Sequence, residues 1–266
     1  MSSKDSTRKT LLVAFCLCVV CSIVVSGTAV ILKPRQDANK ILDRNKNILQ
    51  AAGLFNVDIN NDDDVMDLFQ SFSPRVVDLN EGKFLSTEEL DELEIDVQTY
   101  DQRLLINDSN YSEALDRGSD MANIKRRVIY PMVYTTEDSA GLDTIVVPIN
   151  GYGLWGIIYG FIALEGDANT VKGLAFYELK ETPGLGAEVR NPRWTALWPG
   201  KKIYNEQGDG GIRVVRGQGS GDYQIDGLSG ATLTSKGVDN LIRYWMGEDG
   251  YGPLLADIRE AAGRNF

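Results

Sequence analysis

The sequence predicts an α+β protein: a single N-terminal transmembrane helix followed by a soluble α+β domain with a largely antiparallel sheet. Three observations predict it. Leu11 to Leu32 is an apolar run without a charge. Apolar stripes at helical spacing follow it and return near the C-terminus. Strand-like runs gather between Val128 and Ile225 instead of alternating with helices, which separates α+β from a wound βαβ arrangement.

At about 1.5 Å per residue, Leu11–Leu32 spans roughly 33 Å, enough to cross the hydrocarbon core. The apolar core of a cleaved signal peptide is shorter, about 7–15 residues, so the run reads as a retained anchor. Ser22 and Ser26, with Gly27 and Ala29 nearby, either let a neighbouring helix approach closely or face lipid as incidental small residues. Cys21 follows Val19-Val20, which is not a lipobox. Lys4, Arg8 and Lys9 precede the run, and Lys33, Arg35, Lys40, Arg44 and Lys46 follow it, so flanking charge leaves the orientation open.

Residues 36–53 carry a helical stripe of Ile41, Leu42, Ile48, Leu49 and Ala52. Asp58 to Asp64 is acidic, but an EF-hand loop would need Gly and Glu where Asp63 and Phe69 stand, so calcium binding by that motif is rejected. Asp62–Asp64 instead supply negative charge to the start of a helix bearing Val65, Leu68, Phe69 and Phe72. Glu88 to Asp96 reads as a solvated acidic face or a docking patch. Strands are expected over Val128–Tyr134, Thr144–Ile149, Leu154–Leu164 and Val171–Leu179. A helical stretch around Pro192–Trp198 and strands near Ile212–Val215 and Tyr223–Ile225 follow. Gly217-Gln218-Gly219-Ser220-Gly221 reads as a hairpin loop and lacks the strand–Gly-x-Gly-x-x-Gly–helix context of a dinucleotide fingerprint. The expected organisation is a tail at 1–10, the membrane helix at 11–32, a helical and linking part at 33–125, and a C-terminal domain at 126–266.

Composition closes several functions. The chain has 27 Lys/Arg against 38 Asp/Glu and a net charge of −11, which argues against nucleic-acid binding. Residues 1–46 alone carry 8 Lys/Arg against 3 Asp/Glu, so the body is acidic behind a basic leading segment. Histidine is absent, which removes Ser-His-Asp and Cys-His catalysis and any His-bearing zinc site. Cys16, Cys18 and Cys21 all lie in the apolar run, so the body has no disulfide, Cys-ligated metal or thiol nucleophile. A hydrolase using Thr232 or Ser229 lacks a base.

Asp226-Gly227-Leu228-Ser229-Gly230-Ala231-Thr232-Leu233-Thr234-Ser235 runs from a turn into an amphipathic helix carrying Val238, Leu241, Ile242 and Trp245. Such a helix start either holds a phosphate on unpaired N–H groups or is merely capped by Thr234 or Ser235. Glu181-Thr182-Pro183-Gly184-Leu185-Gly186 is a second turn-rich loop, in which Gly186 admits another backbone or a flat ligand.

Ser229-Gly230-Ala231-Thr232 resembles the flavinylation motif of FMN-binding domains, in which the FMN phosphate is esterified to the threonine. Together with Gly153-Leu154-Trp155, Glu181–Gly186, Tyr251-Gly252-Pro253 and the anchor, the chain resembles the NqrC family, flavoprotein subunits of the Na⁺-translocating NADH:quinone reductase. The resemblance implies covalent FMN on Thr232, with Ser229, Gly230, Ala231, Leu233, Thr234, Asp226 and Leu228 around the phosphate. It sets Trp155, Glu181, Thr182 and Leu185 near the flavin ring, Trp155 either stacking there or serving as a buried strand aromatic. Arg216 stands where a cation is expected, either toward reduced flavin or as a surface residue. Asp226 would shape the turn and assist recognition by a flavin transferase. The implied function is electron relay toward a membrane-subunit flavin and quinone, coupled to Na⁺ export. The partners would be the other membrane and flavoprotein subunits, with the body in the periplasm on the bacterial inner membrane. No catalytic side chain and no metal are implied. A flavoprotein of an Rnf-type ferredoxin:NAD⁺ complex, which shares Ser-Gly-Ala-Thr, and an anchored flavin-free binding module are the alternatives.

Overall fold

The computed structural model describes residues 7–56, 59–139 and 141–263. Positions 1–6, which include Lys4 of the expected tail, and Asp58 of the acidic run lie outside the described residues. The chain forms two units, divided after Arg44.

In the first unit the chain is helical throughout its described length, as part of α1 (Thr7–Ala51). The side chains from Leu11 to Leu32 are exposed along the run, leaving the apolar surface that a bilayer core would cover. Pro34 lies inside the helix, where its missing N–H removes one rung of the ladder.

The second unit opens with the end of α1, where Ile48, Leu49 and Ala51 are fully buried. Next comes α2 (Asp62–Phe69), whose N-terminus is a capping box. The Asn61 side chain accepts from Asp63 N (2.8 Å) and Asp64 N (3.3 Å), and Asp64 accepts from Asn61 N (2.9 Å). Phe72, expected on this helix, lies just beyond it and is buried.

A six-stranded sheet follows in the order β2-β1-β5-β6-β7-β8, and every pairing is antiparallel. Its strands are β1 (Ser73–Asp78), β2 (Lys83–Phe84), β5 (Met132–Asp138), β6 (Gly141–Tyr152), β7 (Ile157–Glu165) and β8 (Val171–Glu178). A short exposed helix, α3 (Thr87–Glu92), carries part of the acidic run, and β3 (Ser112–Ala114) pairs with β4 (Arg126–Val128). Residues 33–125, expected to be helical and linking, therefore also supply β1 and β2 to the central sheet. The apolar core of β1 is only Val76-Val77, too short a signal to stand out.

Alternation along β7 gives the sheet two buried faces. Ile158 and Ile162 join Ile145, Val147, Leu174 and Phe176 in the main core, beneath α5 (Thr232–Trp245) and α6 (Gly252–Gly263). On the opposite face Tyr134, Phe161 and Tyr177 form a row of rings that meets Phe69 of α2. The main core includes Val238, Leu241, Ile242 and Trp245 of α5, the stripe expected from their spacing. Burying each such side chain contributes roughly 1.5–3 kcal/mol.

Two glycines set how α5 lies on the sheet. A Cβ on Gly151 would stand 2.4 Å from Leu241 Cβ, and one on Gly237 would stand 2.5 Å from the Tyr152 carbonyl oxygen. The lack of a Cβ at both lets the helix press directly on β6 and brings Gly237 against Tyr152 and Gly153. Trp245 Nε1 donates to Asn150 O (2.7 Å) and Tyr251 Oη to Pro148 O (3.0 Å), so these two buried aromatics also satisfy their polar tips.

Several expectations are corrected. The strand expected over Val128–Tyr134 is broken between β4 and β5, where Pro131 has no N–H to offer a neighbouring strand. The strand expected from Leu154 begins only at Ile157, because the N–H groups of Leu154 and Trp155 are taken by a side chain, that of Glu181. The helical stretch expected around Pro192–Trp198 forms but is shorter, as α4 (Pro192–Thr195), and a 3₁₀ turn (Gly186–Arg190) precedes it. The hairpin expected around Gly217–Gly221 does not form: β9 (Arg213–Val215) and β10 (Gln224–Asp226) pair in parallel, and the glycine-rich segment crosses over between them.

Candidate functional site

The first turn of α5 gathers almost everything the sequence singled out. Asp226 ends β10, and its Oδ1 accepts from Gly219 N (2.8 Å), tying the glycine-rich crossover to the motif. Trp194 is buried and donates through Nε1 to Asp226 O (2.7 Å). Leu228 N donates to Ser235 Oγ (2.9 Å), and Ala231 N to Leu228 O (3.2 Å), closing a turn in which Gly230 sits at φ +77°. That positive φ explains a glycine at this point. Ser229, Gly230, Thr232 and Leu233 are left exposed.

The expected caps are not made. Helix α5 starts at Thr232 with Ala231 as N-cap, and no side chain caps it. Thr234 is 1 % exposed and donates its hydroxyl to Glu181 Oε2 (2.6 Å), while Ser235 receives Leu228 N. Both hydroxyls face inward, so the first-turn N–H groups remain available to an anion, and the Thr232 hydroxyl stands at their edge.

One flank of this turn is a cleft of about 570 Å³ between β9 and one stripe of α5. Four cations line it: Arg213, Arg216, Lys236 and Arg243. Asp239, buried on α5, neutralises one of them, holding Arg213 Nε at 3.0 Å and also accepting from Val214 N (2.8 Å). Arg216, Lys236 and Arg243 make no ion pair among the described residues. Sequence reasoning missed Lys236 and Arg243. Their signal is helical spacing, four and eleven residues after Thr232 on one face.

The other flank is apolar. Leu154, Trp155 (62 % exposed), Leu185 (46 %) and Leu233 (59 %) present their side chains to solvent. Leu185 Cδ2 lies 3.4 Å from where a Cβ on Gly230 would be, so this shelf adjoins the motif turn. Trp155 is thus not a buried strand aromatic. Thr182 is exposed at the start of the same loop, where its carbonyl accepts from Leu185 N and Ala187 N (both 3.1 Å), and Gly184 turns the loop at φ +75°.

Glu181, only 5 % exposed, lies beneath the shelf. Its Oε1 accepts from Leu154 N (2.9 Å) and Trp155 N (3.0 Å), and its Oε2 accepts from Thr234 Oγ1. A Cβ on Gly153 would stand 2.5 Å from Oε1, and one on Gly186 would stand 2.4 Å from Oε2. The close approach expected at Gly186 is therefore made by these two side chains.

The residues fit FMN. An exposed hydroxyl at an open helix N-terminus, three unpaired cations on one side and an apolar shelf on the other suit a phosphate joined to a flat heterocycle. Among the described residues no group of His, Cys, Asp and Glu could hold a metal ion.

A family model described as the FMN-binding domain matches residues 153–247, from the Gly153 turn to just beyond α5. The chain is 45 % identical to the NqrC protein of the Na⁺-translocating NADH-quinone reductase of Pseudomonas aeruginosa, over 98 % of this chain and 99 % of that protein. It is 43 % identical to the NqrC protein of Vibrio alginolyticus, over 97 % of this chain and 98 % of the relative. Among solved structures it is similar to Shewanella oneidensis NqrC, with a TM-score of 0.72 and 33 % identity over 84 % of this chain and 99 % of the other.

Proposed function

This chain belongs to the NqrC family of the Na⁺-translocating NADH-quinone reductase, and we propose that it holds FMN as a phosphoester on Thr232. It is an electron-carrying flavoprotein subunit of that oxidoreductase, with FMN as cofactor and the other subunits as partners. Its apolar helix is a single-pass membrane anchor. When bound, FMN supplies reversible electron transfer.

The observation that carries the attachment is the Thr232 hydroxyl, exposed at an uncapped helix start between the cationic cleft and the apolar shelf. A phosphodiester there would carry one negative charge. The first-turn N–H groups would hold it, with Arg216 and Lys236 offsetting the charge. Ser229, Gly230 and Ala231 would keep the backbone close to the phosphate, with Asp226 and Leu228 fixing the turn beneath it. Trp155, Leu185 and Leu233 would cover one side of the ring, with Thr182 at its edge. The chain needs no proton-transfer residue for this role, which suits a body without histidine.

A flavin transferase would make the ester, with 126–266 acting as the FMN-binding domain. In the assembled reductase the protein would pass electrons to a flavin of a membrane subunit and on toward quinone, coupled to Na⁺ export. The body would stand in the periplasm, where a covalent link retains a cofactor that cannot be replenished.

Denaturing-gel fluorescence of the full chain co-expressed with a flavin transferase tests the attachment. A fluorescent band is expected for the wild-type chain and none for Thr232→Ala. A band that persists in Thr232→Ala would retire the assignment.

A further inference from the structure

The Glu181 carboxylate is held at both oxygens by the protein itself. Two backbone N–H groups hold Oε1, the Thr234 hydroxyl holds Oε2, and Gly153 and Gly186 leave no room for a side chain beside either oxygen. These contacts come from three separate segments: the turn between β6 and β7, the loop after β8, and the first turn of α5. Beyond the ladder that ends at Tyr152 and Ile157, the β6–β7 turn is closed by Gly153 N donating to Gly156 O (2.8 Å). Its two central N–H groups, those of Leu154 and Trp155, therefore depend on Glu181.

From this arrangement we infer that Glu181 is a positioning residue: it latches the exposed Trp155 turn to the helix turn bearing Thr232. On the FMN reading, which this inference builds on, Glu181 acts on the flavin through Trp155 and not by touching it. Its influence is steric and geometric, because both oxygens are already engaged and a buried acceptor of this kind is costly to leave unmatched. Glutamine can keep the essential part of the latch. Its amide oxygen can accept from Leu154 N and Trp155 N while its NH₂ donates to Thr234 Oγ1. Alanine cannot. Gly186→Ala reaches the same latch without altering Glu181, since the new Cβ would displace both Glu181 and Thr234.

The test has two readouts on the detergent-solubilised full chain. In flavin-free protein, hydrogen exchange at Leu154 and Trp155 should quicken about tenfold or more in Glu181→Ala and Gly186→Ala, the effect of losing a buried hydrogen-bond acceptor. Glu181→Gln should stay near wild type. In flavin-loaded protein, the flavin fluorescence yield should change in Glu181→Ala, hold in Glu181→Gln, and show no further change when Glu181→Ala is added to Trp155→Ala. Unaltered exchange in both Glu181→Ala and Gly186→Ala would overturn the latch. An equal change of flavin yield with and without Trp155 would overturn action through Trp155. Absence of covalent flavin from the wild-type chain would instead remove the FMN reading and leave the exchange result to decide the latch by itself.

Discussion

Gly237→Ala puts two physical effects in opposition, and the structure decides between them. Gly237 is inside α5, where glycine is less favourable than alanine by about 0.8–1.0 kcal/mol. Helix propensity alone therefore predicts a gain in stability. The new Cβ, however, would stand 2.5 Å from the Tyr152 carbonyl oxygen and 3.0 Å from Gly153 Cα, both backbone atoms that cannot swing aside. Relieving the closer contact to about 3.3 Å needs a separation of roughly 0.8 Å between α5 and β6. Overpacking of this kind costs about 1–3 kcal/mol. Because Leu241, packed against Gly151, lies one turn further on, the helix cannot tilt without loosening that contact too. The balance is a net loss of up to about 2 kcal/mol, or up to several degrees of Tm for a domain of this size. Urea unfolding of the full chain in detergent, followed by tryptophan fluorescence, measures it. A rise in stability of about 1 kcal/mol would show that the helix does not press on the strand here, and the placement of Thr232 beside the Trp155 turn would lose its basis.

Other outcomes follow from the same packing. Arg127, 6 % exposed, donates to Asn80, Glu113 and the Asp249 carbonyl, so Arg127→Met, which leaves these acceptors without their donor, should destabilise the body by about 1–3 kcal/mol in the same unfolding assay. Asp239→Ala, which leaves Val214 N without its acceptor, should cost about 1–3 kcal/mol and speed hydrogen exchange at Val214. Burial pushes the Tyr251 hydroxyl well above its ordinary pKa of 10.0 and Tyr177 up to about 12, so the stability they contribute is intact below pH 10. It is lost as pH rises further, because the unfolded chain releases these protons first. Tyr251→Phe should therefore flatten the alkaline limb of the stability–pH curve, while costing about 1 kcal/mol at neutral pH for the bond to Pro148 O.

Residue patterns with local meaning were legible in the sequence. The charge-free run from Leu11 to Leu32, the stripe of Val238, Leu241, Ile242 and Trp245, and the strands from Thr144 to Leu179 each announce themselves within one element. So does Ser229–Thr232, because a motif is local by construction. What stayed hidden depends on distant partners. Thr234 and Ser235 look like caps to any local rule, yet both turn inward to partners outside the helix. Leu154 and Trp155 look like the start of a strand, and only a carboxylate 26 or 27 positions away keeps them out of it. The parallel pairing of β9 with β10 is equally invisible, since a glycine-rich connection of this length serves a hairpin as readily as a crossover.

The central claim is that Thr232, exposed at the open end of α5, bears the flavin. Intact mass followed by peptide mapping of the full chain, matured with a flavin transferase, addresses it most directly. The account predicts a mass increment of one FMN less one water, confined to the peptide containing Thr232 and absent from Thr232→Ala. The same increment on any other peptide, or an unmodified mass after maturation by an active transferase, would contradict it.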